Sequence, residues 1–293
     1  MSAAPGRPQT SSHRSPQGEG VSVNSAPGRP KSYPVIWQRQ SRREMLTQWL
    51  WLVGTALAMV WSVSALDIEW SYLRDAHTQA ADLIGRMFPL QWSYLPSIVQ
   101  PMIETIHIAS LGTLIAIALA VPVAFLAARN TTANGFTWAI GRAILVGSRS
   151  INTIIWGLLF VAIFSPGAVA GVFAVAARSV GFIAKLIAEA IEEVDEGQIE
   201  AVRATGASTL QVWWVAIFPQ ILPVLVGTSI YRWDINVRES SVLGFVGAGG
   251  IGLYLNASIN TFAWTQVAVI LIAILVIVIL SEAVSAYVRA RIS

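Results

Sequence analysis

The chain is constrained first by apolar stretches too long for an ordinary buried helix. Residues 46–66 carry no charged side chain, and several later runs are comparably apolar. About 20 helical residues cross a bilayer. Of the whole chain, 55% is hydrophobic and 12% charged, with a mean hydropathy of +0.61; a soluble domain carries about 25% charged residues. These features describe an all-α integral membrane protein, because backbone groups inside a bilayer must be paired within the helix.

The formal charge of +3 does not point to nucleic acid. Arg7, Arg14, Arg29, Lys31, Arg39, Arg42 and Arg43 all precede the first apolar run, as the positive-inside rule expects of a cytoplasmic N-terminus. That run begins near Met45, too far in for the apolar core of a signal peptide. Residues 1–32 are rich in Pro, Gly, Ser and Arg, with the pentapeptide APGRP at 4–8 and again at 26–30. Such a segment buries too little apolar surface to offset its ordering entropy and reads as a disordered cytoplasmic tail. Residues 33–66 follow as an interfacial elbow containing Trp37 and a first span. The absence of cysteine rules out disulfides and thiolate metal sites.

Residues 67–97 are more polar. Trp70, Leu73, His77, Ala80, Ile84 and Met87 recur at helical spacing, which predicts a helix lying on the outer face. A second span is expected over about 97–128. A third covers 152–164 with the residues before it, and a fourth covers 168–190. The charged segment 191–218 belongs in the cytoplasm. A fifth helix is opened by Pro219 and Pro223 and reaches about 246; a sixth covers 263–288. About six spans put both termini in the cytoplasm. Arg129, Arg142, Arg149 and Arg203 then lie inside against Arg74 and Arg86 outside.

The fifth helix carries charges that lipid would penalise by about 2.5–3.5 kcal/mol each. Arg232, Asn236 and Glu239 share one face at i, i+4, i+7. Asp234, Arg238 and Ser241 share another, with Asp234 placed to pair with Arg238, and Ser240 lies between. Two accounts stay open: the charges neutralise one another at a subunit interface, or they line a path for an anion. Arg178, Lys185 and Glu189 share a face of the fourth helix. With Glu104 and His107 of the second span they would complete a polar lining, although a lone histidine there is more often a hydrogen-bonded core residue.

In the segment 191–218, acidic residues precede Gly197 and a short helix stops at Gly206, a residue suited to that role. Residues 246–252 contain G-x-G-x-x-G, but without the flanking strand and helix that a dinucleotide site needs. These glycines instead break a helix and let backbones approach closely. The two lysines, Lys31 and Lys185, follow no Gly-rich loop, so no phosphate cradle for ATP exists in this chain. No nucleophile–base pair or metal-ligand cluster is visible either, and the chain does not read as an enzyme.

Glu200-Ala201-Val202, Gly206 after three further residues, and Phe218-Pro219 resemble the EAA motif of ABC-importer permeases. Val202 stands where Ala is usual and Phe218 where Leu is usual. Glu189 through Asp195, Glu200 through Ala207, Ile235 through Arg238, Val242-Leu243-Gly244 and Val246 through Gly252 are similar to the phosphonate importer permease family. So are Ile103-Glu104-Thr105, Gly112-Thr113 and Pro122 through Asn130.

The resemblance implies the type I permease architecture, with a permease core over 98–290 and a cytoplasmic coupling helix in the loop 191–218. It implies coupling to an ATPase through Glu193, Asp195, Glu200, Ala201, Arg203, Ala204, Gly206 and Ala207. It also implies a path lined by Arg232, Asn236, Arg238, Glu239, Ser240, Ser241, Arg178, Lys185 and Glu104. The partners expected are a second permease copy, two ATPases that hold ATP and Mg, an extracytoplasmic binding protein and membrane lipid. The cargo expected is a phosphonate, phosphate or phosphite, crossing the bacterial inner membrane by alternating access. Alternatives are another solute of the same superfamily, such as an amino acid or quaternary amine, or a secondary transporter.

Overall fold

The computed structural model describes residues 41–66, 69–132 and 134–292. The expected tail 1–32 and the elbow around Trp37 lie outside the described residues. Every regular element among the described residues is a helix, and the chain divides into two units, Met1–Glu69 and Trp70–Ser293. The first unit holds α1 (Arg42–Ala65). Ser41 and Glu44 cap its start reciprocally, side chain to backbone at 3.3 and 2.9 Å. None of its side chains is buried.

The second unit runs through α2 (Trp70–Arg86), α3 (Leu95–Ala127), α4 (Gly135–Ser150), α5 (Thr153–Phe164), α6 (Ala168–Glu192) and α7 (Glu196–Ala204). It continues with α8 (Thr209–Val212), α9 (Phe218–Leu243), α10 (Ile251–Asn260) and α11 (Trp264–Ile292). The helical spacing from Trp70 onward is α2. Among the described residues five helical stretches are long and apolar enough to cross a membrane, or six if α4 and α5 form one broken span.

Three details differ from the sequence expectation. The third span is not one rod, since α4 and α5 meet at 96°. Ile151 is extended there, and Asn152 caps α5 by accepting the Ile154 N–H at 3.0 Å. The fifth helix does not begin at Pro219, because the chain is already helical from Thr209 through a π-helical turn at Trp213–Ile217. Proline has no N–H to give and its ring would press on the Val215 carbonyl four residues back. A wider turn, with the Phe218 N–H donating to the Trp213 carbonyl, relieves both. Finally, α10 is an additional short helix between the fifth and last spans.

The core is α3, α6 and α9 side by side. Ile108 meets Gly171, Gly112 meets Val175 and Arg129 meets Glu192, a constant offset of 63 residues, so α3 and α6 run parallel. Ser110 with Trp233 and Thr113 with Asn236 set α9 parallel to α3 at an offset of 123. Buried alanines at 116, 120, 124, 127, 184 and 188 keep the contact close. Between helices in lipid, such packing replaces the hydrophobic drive that water would supply. Helix α11 lies against α9, joined by Ser281 and Asp234.

Candidate functional site

Thr113 and Ser179 stand near the middle of α3 and α6, and a layer of polar side chains meets there, halfway through the bundle. Asn236 of α9 is fully buried; its amide donates to Thr113 Oγ1 at 2.8 Å and its carbonyl accepts from Ser179 Oγ at 3.1 Å. Arg232, 3% exposed, donates its Nε to Ser179 at 3.0 Å and an Nη to Glu239 at 3.2 Å. Its guanidinium also lies 5.5 Å from the centre of the Phe182 ring. The Glu239 carboxylate accepts from Thr153 Oγ1 at the first residue of α5 and faces Arg178 Nε at 3.6 Å. Arg178 is held by the Ile151 carbonyl, which accepts from its Nη1 at 2.9 Å.

The arrangement is therefore two guanidinium groups and one helix N-terminus converging on one carboxylate. Aligned peptide dipoles give that N-terminus partial positive charge. The Arg178 and Glu239 side chains are 28% and 24% exposed, so the cluster opens onto the surface of the unit. The pairing of Asp234 with Arg238 expected from their spacing is present, and Asp234 also accepts from Ser281 Oγ at 2.8 Å. The Arg238 side chain stays 47% exposed.

The structure does not bring all the expected path residues together. Arg178, Arg232, Asn236 and Glu239 form one network, with Arg238 one turn away on α9. Ser240 and Ser241 are buried within the bundle, and Ser241 Oγ donates to the Arg238 carbonyl at 2.7 Å. Lys185 pairs with Glu189 at 3.2 Å toward the α7 end of α6. Glu104 is nine residues before Thr113, about 13 Å along α3, and accepts from the Gly250 N–H at 3.2 Å. There it caps α10 together with Thr105, whose Oγ1 accepts from the Ile251 N–H at 2.9 Å. His107 is exposed, which leaves aside the reading of it as a core histidine.

The glycines of 247–252 do what their spacing suggested. Gly247, Gly249 and Gly250 all adopt positive φ, which disfavours any side chain. A Cβ on Gly252 would stand 2.3 Å from the Ser241 carbonyl, so α9 and α10 touch backbone to backbone.

At the far end of the bundle, Asp195 caps α7 by accepting the Gly197 N–H at 2.9 Å. The buried side chain of Ile199 and the half-buried Val202 and Ala207 join the cluster that includes Ala124, Ile191 and Val212. Glu193, Asp195, Glu200, Ala201, Arg203, Ala204 and Gly206 are exposed, and Gly206 takes φ +81° as the helix stops. The helix is thus pinned by one face and offers the other.

Sequence reasoning missed the anchors. Glu192 accepts both the Arg129 N–H and an Arg142 Nη at 3.0 Å, and Gln220 accepts the Asp195 N–H at 3.3 Å. It also left Thr113, Thr153 and Ser179 out of the expected path, each a small hydroxyl that spacing along one helix does not single out.

A family model described as binding-protein-dependent transport system inner membrane component matches residues 120–293. A phosphite transport system permease protein of Stutzerimonas stutzeri is 40% identical over 259 residues, covering 88% of this chain and 92% of that protein. A phosphate-import permease protein of Mycolicibacterium smegmatis is 42% identical over 188 residues, covering 64% of this chain and 35% of that protein. Among solved structures, an inward facing form of the MetNI methionine ABC transporter matches with a TM-score of 0.60 at 24% identity, covering 70% of this chain and 100% of that one. That likeness concerns the fold.

Proposed function

We propose that this chain, which belongs to the family of binding-protein-dependent transport system inner membrane components, is the permease through which a phosphite-, phosphate- or phosphonate-type oxyanion enters a bacterial cell. The observation that carries the cargo is the half-way layer, where Arg178, Arg232 and the N-terminus of α5 converge. Tetrahedral oxyanions suit such paired donors, and half-helices aim their positive ends at anionic groups in other transporters. The names of the relatives support the same class.

The path runs between two copies of the chain. Tyr231, Arg238 and Val242 make one exposed stripe along α9, continued by Phe245 in the turn that follows it. A charge on such a stripe costs about 2.5–3.5 kcal/mol against lipid, so Arg238 faces water or a second copy. Helix α7 docks on a separate cytoplasmic ATPase, which holds ATP and Mg. Its buried face, through Ile199 and Val202, passes the motion to the ends of α3 and α6. An external binding protein delivers the anion, and both termini lie in the cytoplasm.

The test is uptake of phosphite into liposomes holding the whole assembly. Wild type should accumulate it with ATP, whereas Glu200→Arg and Gly206→Pro should lose both uptake and co-purification of the ATPase. Normal transport by both variants would sink the coupling assignment. A preference for methionine or betaine would replace the cargo, and uptake without the ATPase would replace the mechanism with secondary transport.

A further inference from the structure

We infer that Glu239 is a resident stand-in for the cargo, a carboxylate that holds the oxyanion position between Arg178 and Arg232 until an incoming anion displaces it. The inference rests on the oxyanion reading above and deepens it. Three donors address this carboxylate from three helices: Thr153 of α5, Arg232 of α9 and Arg178 of α6. The set is not saturated. Arg178 Nε is inaccessible to water and without a hydrogen-bond partner, because its 3.6 Å approach to Glu239 is too long for one. Two arginines against one glutamate leave the cluster a unit of positive charge in excess.

A planar carboxylate has two oxygens and one negative charge. A tetrahedral oxyanion brings three or four acceptors and up to two charges, so it would meet the idle donor as well as the two in use. Access also differs across the cluster. Arg232 is sealed in, whereas Arg178 and Glu239 open onto the surface of the unit. The carboxylate therefore has somewhere to swing while the deeper guanidinium stays fixed. A purely structural counter-ion for Arg232 would not need the second, more open arginine or the hydroxyl at the start of α5.

The probes are radiolabelled phosphite and phosphate, measured by equilibrium dialysis on the detergent-solubilised permease–ATPase complex without the binding protein. Glu239→Gln should bind phosphite about tenfold more tightly than wild type or better, and bound phosphite should raise its melting temperature. Adding Arg178→Gln should remove the gain.

Glu239→Asp keeps the charge on a shorter arm and guards against loss of the folded complex; it should show a smaller gain of the same sign. A wild-type assembly that takes up phosphite, with both variants binding it no more tightly than wild type, overturns the stand-in alone. A wild-type assembly that takes up no oxyanion overturns the cargo reading beneath it.

Discussion

Replacing Arg232 by methionine tests whether the half-way layer holds the bundle together or only lines a path. From sequence, loss of this arginine is expected to lower uptake and leave assembly intact. The structure predicts otherwise. Arg232 is 3% exposed and makes two side-chain hydrogen bonds, to Ser179 and Glu239. The charge-assisted bond to Glu239 is worth about 1.5–3 kcal/mol and the one to Ser179 about 1 kcal/mol. The contact with Phe182 adds about 0.5–1 kcal/mol. Relief of a buried charge gives part of this back, leaving a net loss of about 2–3 kcal/mol.

Arg178→Met should cost about 1 kcal/mol, since that side chain is 28% exposed and keeps one hydrogen bond, to Ile151. The double variant Arg232→Met with Glu239→Leu should recover much of the loss, because replacing a buried pair by apolar groups is often neutral. Melting curves in detergent for the three variants give the order. The reasoning fails if Arg232→Met melts with wild type, or if the double variant melts below it.

Gly252→Ala should lower the melting temperature sharply, by about 1–3 kcal/mol of overpacking, because its Cβ would overlap the Ser241 carbonyl; Gly227→Ala, with nothing within 4 Å of the new atom, should be neutral or slightly stabilising in the same assay. Ile199→Asp should release α7 from the bundle and abolish ATPase co-purification although its side chain faces inward; retained co-purification would mean that α7 docks without its anchor. Gly206→Pro should act locally, since proline holds φ near −65° and the site needs +81°; circular dichroism of the purified chain should show overall helicity close to wild type.

Much of the bundle was legible because lipid imposes a simple rule, long apolar runs with charges at their ends. The runs that became α3, α6 and α11 needed little more. The 96° corner before α5 was not legible, because Ile151-Asn152 interrupts an apolar pattern without adding a charge. The π turn was half visible: Pro219 announced a break, but a proline placed after an established helix widens it where a proline at a start would begin one.

In the site, Asp234 and Arg238 followed from spacing along one helix. Glu239 with Arg178 and Thr153, by contrast, joins three helices, and no pattern within one segment carries that information. That Ser240 and Ser241 are buried was not legible, because helical spacing gives faces without saying which one is covered.

The π turn at Trp213–Ile217 also sets a phase. Successive residues of an α-helix are about 100° apart around the axis. Deleting one residue from this turn would let it close as an ordinary α-helix and turn α8, the piece continuous with it, by roughly that angle about the axis of α9. Val212 would then turn out of the cluster it shares with Ile199 while α9 and its arginines kept their places. The seat of α7 on the bundle thus depends on a single residue's worth of chain, and a one-codon deletion there should loosen α7 while the half-way layer stays intact.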